Sequence, residues 1–149
     1  MYLKTVGKPS KVSTKLCKEA VKYYGRHLLG NNLYHKLSIE ILFDKALIDT
    51  NEYAYCDWQD DSYRAKEFVI GIDPNLGKRN MLLALAHEMV HVKQYAKGEM
   101  KDYARVNKIK FRGQIIEDNS MDYWDLPWEI EAHGRERGLY YRFIESIRK

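Results

Sequence analysis

Apolar residues recur along the chain with two different periods, and the switches between those periods mark its elements. From Ser13 to Leu29, the residues Leu16, Ala20, Tyr23, Tyr24, His27 and Leu28 fall at helical spacing, and Gly30-Asn31-Asn32 predicts a stop. Alternation with period two follows at 37–43, where Leu37, Ile39, Ile41 and Phe43 share one side. Two more strands are predicted at 52–58, which is rich in aromatics, and at 67–73, which is β-branched and ends before Pro74. Asp60-Asp61-Ser62 between them reads as a turn, and the acidic stretch 57–61 as a surface loop.

The next segment, 79–97, is apolar nearly all round (Met81, Leu82, Leu83, Leu85, Met89, Val90, Val92), which predicts a helix at the centre of a domain, ended by Gly98. Alternation returns at 106–117 through Val106, Ile109, Phe111 and Ile115, with Gly113 as the turn of a hairpin. Pro127 then opens a last helix to about Ile147. Helix, strands, central helix, hairpin and helix describe an α+β domain. No linker or repeat divides the 149 residues, so one domain spanning 1–149 is expected.

Composition narrows the chemistry. The chain is 45% hydrophobic and 31% charged, with 25 basic against 21 acidic residues and a net charge of +4. That excess is too mild for a polycation built to coat nucleic acid. Basic residues do gather on the first helix (Lys11, Lys15, Lys18, Lys22) and around the hairpin (Lys101, Arg105, Lys108, Lys110, Arg112). Runs like these are usually solvated faces, and nucleic-acid binding stands as a secondary possibility. The first residues hold no apolar run of signal-peptide length, and no segment is long enough to span a membrane, so a cytoplasmic protein is expected. Two cysteines, Cys17 and Cys56, cannot build a disulfide framework or a cysteine-rich zinc module. A zinc site here would have to use histidines and carboxylates.

Five histidines are present, and two of them fall in His87-Glu88-Met89-Val90-His91 on the central helix. Residues i and i+4 lie one turn apart on one helix face, so both imidazoles can reach one metal ion. Glu88, about 100° round the helix, is placed to hydrogen-bond a water at that ion and to accept its proton. A third ligand must come from elsewhere. On the last helix, with Ala132 set at 0°, Phe143, Ile147, Tyr140 and Ile144 fall between roughly 20° and 120° and define the buried face. Glu129 lies at about 60° in the middle of that face, His133 at about 100°, Glu136 near 40°, and Glu131 at about 260° on the opposite side. A carboxylate on an apolar face is costly unless something positive meets it. Glu129 is therefore the preferred third ligand. His133 and Glu131 remain alternatives, although Glu131 reads as a solvated glutamate. His133 can instead orient a ligand or stabilise an oxyanion, and Glu136 is expected to pair with an arginine nearby. His27 and His35 have no assigned role.

These residues resemble the zincin superfamily of metallopeptidases, and within it the gluzincins. In the gluzincin pattern the glutamate ligand on a later helix is followed four residues on by a polar residue, often aspartate; His133 holds that place here. The run Glu129-Ile130-Glu131-Ala132-His133 is similar to the E-x-x-A-D/N helix of several small zincins. The strings 86–95 and 126–132 are similar to those of small metallopeptidases carried by phages and bacteria. The resemblance, covering roughly 67–145, implies a minimal zincin-like domain in a bacterial or phage-infected cell. It implies Zn²⁺ on His87, His91 and Glu129, with Glu88 as general base. Oxyanion donors would come from His133, Tyr123 or Tyr95, and the substrate would be a peptide or protein. In such folds substrate lies along an edge strand just before the active-site helix, the place occupied by Glu67 to Asp73. A SprT-like, DNA-associated protease is the alternative within the superfamily. Gly98 fits its glycine, but no histidine stands between His91 and His133 to serve as its third ligand. A non-catalytic zincin-fold binding module is the other alternative; a structural site would have no need of Glu88.

Overall fold

The computed structural model describes residues 1–60, 64–103, 106–117 and 120–148, and among these it is an α+β structure of four α-helices and two sheets. Strand β1 (Tyr2–Val6) precedes helix α1 (Thr14–Leu29). Ser13 caps α1 by accepting the Leu16 N–H at 3.0 Å. Gly30, at φ +75°, ends α1 as expected, but Asn31 does not continue the stop: it opens a short second helix, α2 (Asn31–Lys36). Strands β2 (Ser38–Phe43), β3 (Ala54–Trp58) and β4 (Glu67–Ile72) follow, then α3 (Lys78–Ala96). Strands β5 (Met100–Tyr103), β6 (Lys108–Phe111) and β7 (Gln114–Glu117) form the second sheet, and α4 (Pro127–Ile147) closes the chain.

The first sheet has the order β1-β2-β4-β3, with β1, β2 and β4 parallel and β3 antiparallel to β4. This corrects one expectation that bears on function. The strand at 67–73 is not an edge: it is paired with β2 on one side and β3 on the other. Its continuous apolar run, Phe68-Val69-Ile70-Gly71-Ile72, is what an interior strand requires. The edge beside α3 is β3. Tyr55 of β3 lies across Gly71, where any Cβ would collide with its ring, and its hydroxyl donates to Asp44 Oδ2 at 2.9 Å.

Helix α3 runs between the sheet, α1 and α4, which explains why it is apolar on every side. Met81, Leu82, Leu85 and Met89 are fully buried against Ile39, Ile41 and Ile70 of the sheet and Val21 and Tyr24 of α1. Each such side chain contributes on the order of 1.5–3 kcal/mol. The Tyr24 hydroxyl donates to the Leu82 carbonyl at 3.0 Å, so this phenol enters the core with its polar end satisfied. Helix α4 covers α3 with Ala132, Leu139, Phe143 and Ile144; Ile147, expected on this face, is exposed. No described helix is long and apolar enough to cross a membrane.

The hairpin of β6 and β7 turns through Arg112 and Gly113, both at positive φ, the type I′ geometry that matches strand twist. The alternating pattern did not reveal its third strand, β5, which makes a small sheet over Trp128 through Met100, Ile109 and Phe111. That sheet packs on the start of α4 at Trp128 and on Tyr95 of α3. Asp61 and Ser62 of the expected turn, and Arg105 of the basic group, lie outside the described residues.

Candidate metal centre

Helix α3 presents His87 and His91 one turn apart, and α4 brings Glu129 from its first turn against both. Glu129 Oε1 lies 3.0 Å from His87 Nε2 and 3.2 Å from His91 Nε2. One ligand atom from each of the three residues falls within 4.8 Å of the others, so the trio is positioned to hold a metal ion. Tetrahedral bonds of 2.0–2.2 Å to nitrogen and oxygen set adjacent donors about 3.3 Å apart. The observed separations fit that spacing, and two imidazoles with one carboxylate suit zinc chemically.

The remaining ring nitrogens are already engaged. His91 Nδ1 meets Gln94 Oε1 at 2.8 Å, and His87 Nδ1 faces Glu136 Oε2 at 3.5 Å. With protons on both Nδ1 atoms, each Nε2 turns a lone pair towards a carboxylate oxygen. Such an arrangement calls for positive charge between them, a proton or a metal ion. Burial disfavours a charged His87, yet Glu129 and Glu136 outweigh it and push its pKa up to about 10. His91 is likewise raised: burial opposes its charge, and Glu129 and Glu88 overcome that. Burial also works against an ionised Glu129, but the two histidines hold its carboxyl well below the usual range.

Glu88 is 6% exposed, and its Oε2 is buried without a hydrogen-bond partner. Burial raises its pKa, opposed by His91 and His87. Glu88, His87, His91 and Glu129 all line one cleft of about 630 Å³, walled by Tyr53 to Cys56 on one side and by Tyr123 and His133 on the other. A buried carboxylate oxygen with no protein partner, at the wall of a cleft, is suited to take a proton from a ligand there.

Tyr123 sits in a 3₁₀ turn (Tyr123–Asp125) just before α4, and its hydroxyl is 3.1 Å from Glu129 Oε1 and 2.9 Å from His133 Nε2. The other His133 nitrogen meets Glu136 Oε1 at 3.0 Å. His133 thus stands beside His87, ring centroids 4.4 Å apart, with both its nitrogens committed to Tyr123 and Glu136. It forms a second group with His87 and Glu136 but is not grouped with His91. Tyr95 also reaches the cleft, with its ring packed on Trp58 and Phe68 at 4.9 and 6.4 Å.

Two expectations are corrected here. Glu136 does not pair with an arginine; it bridges His87 and His133, because it lies on the same face of α4 as Glu129. Nor is Glu131 a solvated glutamate or a ligand. It faces the end of α3, and its carboxylate binds Lys93 Nζ at 2.6 Å and Gln94 Nε2 at 2.9 Å there, with Arg112 of the hairpin turn and Arg135 of α4 at 3.2 Å each. Arg112 is thereby drawn out of the basic surface expected around the hairpin. Gln94 escaped the sequence reading altogether. Its signal was present: beyond the motif, Lys93 and Gln94 are the polar residues in the largely apolar stretch 81–96, and buried polar groups there must have partners. His27 and His35 are exposed and remote from the site. No family model, curated protein or solved structure matches the chain.

Proposed function

We propose that this protein is a zinc-dependent metallopeptidase of the zincin type, with His87, His91 and Glu129 as ligands. The observation that carries the reading is the convergence of these three donors at a cleft where Glu88 Oε2 is buried and unpartnered. When bound there, zinc would supply Lewis acidity, polarising a carbonyl and making a nearby water more acidic. The chain's own groups do the rest. Glu88 accepts the proton of the attacking water and returns it to the leaving amine. Tyr123 donates to the developing oxyanion, its hydroxyl held in place by His133 Nε2, which Glu136 orients through Nδ1. Glu136 and Gln94 hold the two ligand imidazoles through their Nδ1 atoms.

Peptide binds along β3, the edge strand, whose residues Ala54 to Cys56 line the cleft. Main-chain pairing to that edge gives affinity without a deep pocket. The absence of a histidine between His91 and His133, and the grouping of Glu129 with both motif histidines, favour this reading over a SprT-like one. Metal analysis of the purified chain beside His87→Ala tests the site: one zinc in the first and none in the second is expected, and zinc persisting in the variant rejects the ligand set. Peptide hydrolysis that survives Glu88→Gln rejects the peptidase assignment.

A further inference from the structure

Gln94 is completely buried and makes three hydrogen bonds, and those three reach both ligand-bearing helices. Its Nε2 donates to the Trp128 carbonyl at 3.0 Å and to Glu131 Oε1 at 2.9 Å. Both partners can only accept, so the sense of the amide is set: Nε2 faces α4, and Oε1 faces His91 Nδ1 at 2.8 Å. An amide oxygen cannot donate. His91 must therefore carry its proton on Nδ1, which leaves Nε2 as the coordinating atom on the side of Glu129.

The geometry points to Gln94 as the positioning residue of the metal centre, locking the His91 ring in one tautomer and setting α3 against α4. Its two acceptors on α4, Trp128 and Glu131, flank the ligand Glu129 in sequence, so one side chain ties His91 to the backbone segment that carries the third ligand. Glu131 takes part because its carboxylate, held by Lys93 at 2.6 Å, keeps the amide from turning over. Lys93 is itself 4% exposed and also meets Glu99 at 2.8 Å, so the brace is anchored in the interior and not in solvent. This role rests on the metal-site half of the functional reading and is independent of what the site hydrolyses.

The test uses zinc alone as the probe, in the full chain. Gln94→Met keeps the volume of the side chain and removes all three bonds; zinc affinity by chelator competition is expected to fall tenfold to a hundredfold. In zinc-loaded wild type, the ¹⁵N shifts of the His91 ring should report a protonated Nδ1 and a ligated Nε2. In Gln94→Met they should report a mixture. Gln94→Glu places two carboxylates together and should weaken zinc binding. Adding Glu131→Gln exchanges amide and acid, restores a donor between the two positions, and should recover part of the loss. Zinc affinity within about twofold of wild type in Gln94→Met, with an unmixed His91 signature, overturns the proposal, even if that variant unfolds at lower temperature. Failure of the wild-type chain to take up zinc overturns this proposal and the metal site together, whereas zinc uptake without peptide hydrolysis overturns the peptidase reading alone.

Discussion

Glu129 and Glu131 stand two residues apart on the same helix, and their surroundings differ in the kind of positive charge that meets them. Glu131 is surrounded by groups that are always cationic at neutral pH: Lys93, Arg112 and Arg135, with the Gln94 amide completing its shell. It is electrostatically satisfied by the chain alone. Glu129 is met by His87, His91 and a phenol, groups that are neutral in their ordinary state near pH 7. The chain answers one carboxylate with fixed charge and leaves the other facing lone-pair donors. Placement on the helix explains which is which. Glu129 lines the cleft, and Glu131 meets Lys93 and Gln94 at the end of α3, outside the cleft lining. One region is built to be finished, the other to be completed by a cation.

The comparison can be broken in order of expected effect. The largest lies at the cleft: Glu88→Gln should reduce peptide hydrolysis by a factor of about 10² to 10⁴ while the chain still takes up one zinc. Activity close to wild type in that variant would leave Glu88 without the role given to it. Next comes the contrast in metal binding. Glu129→Ala should abolish stoichiometric zinc uptake, while Glu131→Ala should still saturate, with affinity weakened by about tenfold through the loss of the Gln94 brace. Equal zinc contents in the two variants, measured by elemental analysis, would erase the distinction drawn between the carboxylates.

Stability should separate them by pH. With zinc chelated, Glu131→Ala should lose about 2–3 kcal/mol in urea unfolding, because Lys93 is buried and keeps only Glu99. Glu129→Ala under the same conditions should lose stability near neutrality, where Glu129 holds protons on His87 and His91, and should change by less than about 1 kcal/mol only above about pH 10, where His87 has given up its proton. Zinc at about a hundredfold its dissociation constant should then add about 2.7 kcal/mol to the wild type and nothing to Glu129→Ala. The smallest effect is in acid. Burial opposes an ionised Glu131, but Lys93, Gln94 and Arg112 outweigh it and lower its carboxyl below the ordinary value of 4.5. Its contribution is therefore present above that pH and is lost as pH falls through the depressed value. Wild type should show a fall in stability below pH 4.5 that is shallower in Glu131→Ala.

How much of this was legible before folding follows from the range of the interactions. The motif at 87–91 needs only helical periodicity, which is local, and so do the capping of α1 by Ser13, the turn at Arg112-Gly113 and the proline that opens α4. Glu129 was accessible too, since a carboxylate on the apolar face of a helix signals a buried partner. The errors share a cause. The alternation does not reveal β1, because its five residues are half exposed and become a strand only by pairing with β2, which lies beyond both α1 and α2. The strand at 67–73 was read as an edge because sequence order does not show that the chain returns to pair on both of its sides. A helical wheel of α4 places Glu131 off the apolar face and does not show that Lys93 and Gln94, two polar residues at the end of α3, reach round to meet it.

The sequence by itself determined an α+β chain with a pair of motif histidines one turn apart, a glutamate between them and a third carboxylate on a later helix. Local spacing suffices for that, since each element's periodicity is written within a dozen residues. Only the tertiary structure decided that β3 is the edge at the cleft, that Glu136 and Gln94 hold the two imidazoles, and that Glu131 belongs to Lys93. Those assignments depend on which surfaces come to face one another, and contacts between residues about 35 to 50 positions apart are set by the packing of the whole core.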